Sequence, residues 1–338
     1  MNTDDKNIKV VLFSAKPYDK TSFDIVNEKY GFDIEYHEDT LSEQNLILTK
    51  DADVVCVFVN DVITDDLIEG MLQNDVKLLA LRCAGFNNVD LKAAQNRLPV
   101  VRVPAYSPHA VAEYTLSLML TLNRKIHRAY WRTKDGNFAL HGLGGFDMYG
   151  KTVGVVGTGK IAKILIKMLR AMGMVVLGYD IYPDNMFAEE VGMTYVTLNE
   201  LFERSDIITL HCPLTSDNKH MINEDSISKM KTGVMIINTG RGQLINSAAL
   251  VEGLKTRKVG AAGLDVYEEE GEYFYEDLSD KIINDDTLAR LLSFNNVIIT
   301  SHQAYFTTEA LHNIASTTLE NIQQCFKYGQ LPNEVLFA

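Results

Sequence analysis

The 338-residue chain is predicted to be an α/β protein made of two doubly wound parallel-sheet domains, the second of which carries a dinucleotide fingerprint. Three observations carry this prediction. Short runs rich in valine, isoleucine and leucine alternate with helical patterns along most of the chain, as expected when parallel strands are joined by helical crossovers. One stretch, Lys151 to Asp180, combines strand, glycine turn, helix, second strand and terminal acid. The length suits about two domains, each able to bury a full core.

Within that stretch, Thr152 to Val156 reads as a strand buried on both faces, and Gly157-Thr158-Gly159 follows at once. From Lys160 the apolar positions Ile161, Ile164, Leu165, Met168 and Leu169 fall on one helical stripe, and Met174 to Tyr179 returns to strand before Asp180. Each residue type in this G-x-G-x-x-A pattern has a physical use. Gly157 permits the turn, Gly159 lets backbone approach a pyrophosphate, and Ala162 allows helix and strand to pack closely. Thr158, Lys160 and Ile161 complete the turn and the helix N-terminus, where free N–H groups and the helix dipole favour phosphate. Asp180 is spaced to accept hydrogen bonds from an adenosine ribose and to repel the extra phosphate of NADP. The expected cofactor is therefore NAD.

Composition narrows the function classes. The formal net charge of −13 and the absence of a basic run argue against a nucleic-acid partner, although a few local arginines suffice for a small anionic substrate. Cys56, Cys83, Cys212 and Cys325 form no C-x-x-C pattern and read as reduced thiols. No metal site is assigned. The acidic N-terminus lacks the apolar run of a signal peptide and no stretch is long enough for a membrane span, so a cytoplasmic location is expected.

In chain order, 8–13, 32–36, 53–59, 77–82 and 99–103 read as strands of a small parallel domain, whose fourth strand runs into Arg82-Cys83-Ala84-Gly85-Phe86. Ligands of open α/β sheets lie beyond the carboxyl ends of strands, which makes that turn a candidate ligand loop. After the Pro104–Pro108 break a long apolar helix is expected from about His109 to Trp131, either a crossover or an oligomer contact. Beyond the glycine-rich loop HGLGGFDMYG and the fingerprint unit, further strands are expected at 194–196, 206–212, 234–239, 260–267 and 297–301. The acidic stretch 268–286 reads as a solvated insertion, and a final helix from about Thr308 to Tyr328 is expected to return to the first domain. The boundaries drawn on this basis are 1–103, 104–303 and 304–338.

The strand ends of the second domain gather polar groups: His211-Cys212-Pro213, Asn238-Thr239-Gly240-Arg241-Gly242, Asp265 with Glu270 beyond it, and His302. All are expected at the cofactor crevice, with Cys212, Pro213, Thr239 and Asp265 assigned to cofactor binding. Arg241, Glu270 and His302 together make an anion binder, a carboxylate and an acid or base. The segments LRCAGFNNVDL, VPAYSPHAVAEYT, MYGKTVGVVGTGKIA, LHCPLT, NTGRGQLI, GLDVYEEE and TSHQAYFT occur in this order along the chain. On these segments the chain resembles, over essentially its whole length, the NAD-dependent D-2-hydroxyacid dehydrogenases, and within them the bacterial fermentative D-lactate dehydrogenases.

The resemblance implies catalytic roles for Arg241, Glu270 and His302, with substrate carboxylate held by the backbone of Ala84 and Gly85 and Tyr106 nearby. It also implies a substrate domain hinged on a cofactor domain, in a homo-oligomer of two or four chains. Tyr305 stands where phenylalanine is common in the family, which bears on substrate size. In the implied reaction, hydride passes between NADH and a 2-keto acid, pyruvate in the first instance, while His302 transfers the proton. His211 is the rival acid, without an evident carboxylate partner. The competing readings are a dehydrogenase for a bulkier 2-keto acid, a non-catalytic NADH-sensing regulator of the same fold, and, more distantly, a methyltransferase.

Overall fold

The apolar runs become strands because each is covered on both faces: VVCV at 54–57, LLAL at 78–81, IITL at 207–210 and VMIIN at 234–238 are buried at every position. The computed structural model describes residues 7–337. They group into two units, one formed by the chain up to Ser107 together with the segment from Phe306, the other by Pro108–Tyr305.

The first unit runs β1 (Lys9–Leu12), α1 (Pro17–Asn27), β2 (Asp33–Tyr36), β3 (Val54–Val57), α2 (Asp65–Gln73), β4 (Leu78–Leu81), α3 (Leu91–Ala94) and β5 (Val100–Arg102). Its five parallel strands are ordered β2-β1-β3-β4-β5. At the end of β4 lies Arg82, 1% exposed. Its guanidinium donates to the carbonyls of Phe13 and Ser14 at 2.9 and 2.6 Å, and Nε lies 3.6 Å from Asp19. A buried charge so engaged ties the turn after β1 to the turn after β4.

The second unit runs α4 (Pro108–Arg124), α5 (Ile126–Lys134), β6 (Thr152–Val156), α6 (Lys160–Ala171), β7 (Val175–Tyr179), α7 (Asn185–Val191), β8 (Thr194–Tyr195), α8 (Leu198–Arg204), β9 (Ile207–Leu210), α9 (Glu224–Lys229), β10 (Val234–Asn238), α10 (Ser247–Lys255), β11 (Val259–Leu264), α11 (Asp286–Ser293) and β12 (Val297–Ile299). Its seven parallel strands are ordered β12-β11-β10-β9-β6-β7-β8. The chain then forms α12 (Thr308–Tyr328), which packs on α1 in the first unit and ends at Gly329 with φ of 64°.

Three features differ from the sequence expectation. The long helix is two, because Lys125 adopts φ of 50° between α4 and α5. α4 is held by α6, β10 and β11, whereas α5 buries no residue, so nothing keeps the two segments collinear. Several strands are shorter than their apolar runs: Val266 and Tyr267 are buried beyond the end of β11, since apolarity reports burial and not ladder pairing. The acidic stretch 268–286 is also more than a solvated insertion. Phe274 is buried, Tyr273, Tyr275 and Ile283 pack on the core, and the Tyr267 hydroxyl donates to Asp285, the residue that caps α11, at 2.7 Å. Apolar residues interleaved with the acids account for this folding back.

Candidate active site

In the second unit β6 lies between β7 and β9, so crossovers leave in opposite directions and open a crevice at the carboxyl ends of β6 and β9. The turn Gly157-Thr158-Gly159 sits there. Gly157 has φ of 86°, and a Cβ on it would stand 2.5 Å from the Cys212 amide nitrogen, so only glycine fits. No heavy atom lies within 4 Å of where a Gly159 Cβ would be, and Gly159 begins the 12-residue α6 without a side-chain cap. This is an open cradle at a positive helix end, and it fits a pyrophosphate. Ala162 is wholly buried behind it, Ile161 is partly buried and Lys160 is exposed.

Asp180 follows β7. Its carboxylate accepts from the Thr158 amide at 2.6 Å, the Thr158 hydroxyl at 3.0 Å and the Tyr182 amide at 2.9 Å. Partial burial opposes ionisation, but these donors outweigh it and hold the carboxyl below its usual range. The acid therefore braces the glycine turn and keeps a fixed negative charge beside it.

The next strand ends supply the rest of the crevice. Burial pushes the His211 imidazole down to about 4, and its Nε2 meets the Thr209 hydroxyl at 2.9 Å. A ring held so low is neutral near pH 7, so His211 is a poor resident acid. Burial also pushes the Cys212 thiol up to about 11, which leaves it un-ionised, and Pro213 beside it is exposed. Thr239 is buried, with its hydroxyl 2.9 Å from that of Thr115 on α4.

His302 and Glu270 form a direct pair, Nδ1 to Oε1 at 2.8 Å. The other Glu270 oxygen accepts from the Tyr267 amide at 2.9 Å. Since a carboxylate occupies the Nδ1 side, Nε2 is the nitrogen left to exchange a proton with a ligand. His302 has φ of 52°, and the loop around it is secured by Asp265. The Asp265 carbonyl accepts from the His302 amide at 2.7 Å, and its carboxylate accepts from the Thr300 hydroxyl and the Gln303 and Ala304 amides at 2.6, 2.9 and 2.8 Å. Burial nevertheless raises the Asp265 carboxyl above its usual range.

Arg241 stands on the turn after β10. The Asn238 side chain closes that turn, donating to the Arg241 carbonyl at 2.9 Å and accepting from the Gly240 amide at 3.0 Å. A Cβ on Gly242 would overlap the Tyr267 carbonyl, so the arginine turn rests directly on the segment that leads to Glu270. Glu268 in that segment pairs with His220 and accepts from the Ser247 amide at 3.2 Å.

Ala84, Gly85 and Tyr106 belong to the first unit. The Ala84 carbonyl accepts from Arg102 at 2.7 Å, and the Gly85 carbonyl takes the Cys83 thiol at 3.3 Å. Neither amide of the pair has a hydrogen-bond partner among the described residues, which leaves both N–H groups for an anion. The Tyr106 carbonyl accepts from Asn313 of α12 at 2.7 Å, and Tyr305 is buried at the end of the second unit.

Sequence reasoning missed Tyr275. Its ring centroid lies 6.2 Å from that of His302, and its hydroxyl donates to the His302 carbonyl at 3.3 Å. The aromatic run Tyr273-Phe274-Tyr275 inside an acidic stretch was the available signal. Tyr195 was missed as well; its hydroxyl meets Thr158 at 2.8 Å and accepts from the Asp184 amide at 3.0 Å.

Residues 116–304 match the family profile described as D-isomer specific 2-hydroxyacid dehydrogenase, NAD binding domain. The chain is 52% identical to a 2-hydroxyacid dehydrogenase homolog of Haemophilus influenzae, over 97% of this chain and 99% of that one. It is similar to the apo-structure of D-lactate dehydrogenase from Escherichia coli, with a TM-score of 0.90, 48% identity, and coverage of 97% and 100%. A structure described as the pyruvate reductase of Chlamydomonas reinhardtii gives a TM-score of 0.92 at 42% identity, covering 97% and 98%.

The position of Asp180 generates a binding prediction. Asp180→Ala removes the charge that would face a 2′-phosphate and leaves the Thr158 amide unpaired, so NADH should bind more weakly, by about tenfold for a loss near 1.4 kcal/mol. NADPH should lose less, and the ratio of the two affinities should narrow. Fluorescence titration of both nucleotides checks this, and an unchanged ratio would assign the preference to another residue.

Proposed function

The chain belongs to the D-isomer-specific 2-hydroxyacid dehydrogenase family, and on that premise we propose that it is a D-lactate dehydrogenase that reduces pyruvate reversibly to D-lactate. The observation that carries the catalytic reading is the His302–Glu270 pair at 2.8 Å, in the unit that also holds the dinucleotide crevice. Relatives described as D-lactate dehydrogenase and pyruvate reductase support the substrate. The presence of arginine, glutamate and histidine together favours turnover over a sensing role.

Gly157, Thr158, Gly159 and the N-terminus of α6 would hold the pyrophosphate of NADH, which when bound would supply the hydride. His302, protonated, gives its Nε2 proton to the carbonyl oxygen as negative charge develops there, and the imidazole is left neutral. Glu270 fixes the ring through Nδ1 and so directs Nε2 to the substrate. Arg241 offers two parallel N–H groups to the substrate carboxylate and carbonyl oxygen. Within the first unit, the amides of Ala84 and Gly85 are a further pair of donors suited to a carboxylate. In lactate oxidation each proton movement reverses.

We propose further that the enzyme works as a homo-oligomer in the cytoplasm. No helix among the described residues is long and apolar enough to cross a membrane, and all four cysteines are free thiols. α5 buries none of its residues, and Ile126, Tyr130 and Trp131 on it are 55%, 54% and 63% exposed. Such an apolar face suits a second copy of the chain.

Three outcomes are expected. With a panel of 2-keto acids, pyruvate should give the highest kcat/KM and chiral analysis should find D-lactate; an L product, or preference for phenylpyruvate, would sink the assignment. Glu270→Gln should lower kcat of pyruvate reduction by about tenfold or more, because the His302 ring loses the charge-assisted hydrogen bond that orients it. Wild-type turnover in that variant in both directions would place the acid elsewhere. Sedimentation of the wild type should show an oligomer that Trp131→Glu weakens, whereas a wild-type monomer would remove the case for self-association through α5.

A further inference from the structure

On the opposite edge of the second unit's sheet from the crevice, a cavity of about 270 Å³ lies at the amino-terminal ends of β10, β11 and β12. Its lining includes Lys125, His127 and Arg128 and contains no aspartate or glutamate. In a chain of net charge −13, three bases around one cavity without an acid call for a physical reason. All three stand at the start of α5, which has no side-chain cap and no acid in its first turn. Positive side chains at the positive end of a helix raise the electrostatic energy.

Local contacts explain only part of the arrangement. The Lys125 ammonium rests on the Gly144 carbonyl. The Arg128 guanidinium has no hydrogen bond or ion pair among the described residues, whereas the half-buried His127 ring lies against the backbone of Asn295 and Thr121. Part of the wall is open backbone, since no heavy atom lies within 4 Å of where a Cβ of Gly144 or Gly233 would be, and side chains such as Leu122, Phe146 and Met235 line the rest. The glycine-rich loop HGLGGFDMYG, which the dinucleotide crevice does not use, forms one side of this wall.

We propose that this cavity is a binding site for a small polyvalent oxyanion with the chemistry of phosphate. The bases supply charge-assisted donors, and the glycines let the anion approach the main chain. The volume lies below the roughly 300–1,000 Å³ of pockets for drug-sized ligands, which favours a compact ion. Desolvation, reinforced by the Arg128 charge, holds the His127 imidazole below its ordinary range, and a bound anion would act in the opposite sense. The site is separate from the crevice, so its occupancy does not depend on the substrate assignment.

The test is calorimetric titration of the full chain with inorganic phosphate at fixed ionic strength. The crevice is first saturated with NADH, so that phosphate is not held at the glycine turn. The wild type should bind phosphate saturably, one per chain. Arg128→Gln should weaken binding about tenfold or more, as expected for loss of a charge-assisted bond, while Arg128→Lys should recover most of it. Unchanged NADH affinity in both variants would show that the fold is intact. No saturable heat in the wild type, or equal phosphate affinity in wild type and Arg128→Gln, overturns the proposal. So does a wild type that binds no phosphate but whose self-association is weakened by Arg128→Gln, because a partner's carboxylate would then occupy the cavity.

Discussion

The buried carboxylate of Asp265 is the constraint on which the site depends. Loops that leave a strand and carry a charged side chain ordinarily sample many conformations. Here one aspartate, 0% exposed, gathers the Thr300 hydroxyl and the Gln303 and Ala304 amides, while its own carbonyl holds the His302 amide. Each unpaired group would cost about 1–3 kcal/mol at this depth, so the loop has little freedom to rearrange. The left-handed backbone of His302 is kept in place by that network.

Around this anchor the chemistry is assembled by contacts between neighbouring strand ends. Tyr267 is the hub: its amide binds Glu270, its carbonyl packs on Gly242 beside Arg241, and its hydroxyl reaches Asp285 at the start of α11. The arginine turn and the glutamate segment therefore share one support, and Glu268, held by His220 and the Ser247 amide, strengthens it. Tyr275 adds a ring beside His302 and a hydroxyl on its carbonyl. Electrostatic catalysis requires groups already fixed before charge develops, and the proposed roles of Arg241, Glu270 and His302 rest on this packing.

The first unit uses the same means. Arg82 joins two turns from within the core, and Arg102 takes the Ala84 carbonyl while lying over the Phe86 ring, 5.0 Å from its centroid. With the carbonyls of Cys83 and Ala84 occupied by the Val103 amide and Arg102, the peptide planes that carry the Ala84 and Gly85 amides are held. Cations that serve as internal ties thus fix the loop that carries Ala84 and Gly85.

Local signals in the sequence were sufficient for much of this. Fully buried strands leave apolar runs, Gly157 is demanded by its own φ and by the nearness of Cys212, and Asp180 stands at a spacing set by one helix and one strand. Arg241, Glu270 and His302 were legible as polar groups following strands, and the family motifs around them gave each a role. Tertiary structure supplied the contact behind the His302–Glu270 pairing, which the sequence offered only through the resemblance, because the two are 32 residues apart and meet only when β11 and β12 lie side by side. It alone turned the acidic stretch 268–286 back onto the core, placing Tyr275 at His302, and broke the expected helix at Lys125. The physical reason is common to these cases: composition and periodicity record whether a residue is buried, while the partner it is buried against depends on strand order and on contacts distant in the chain.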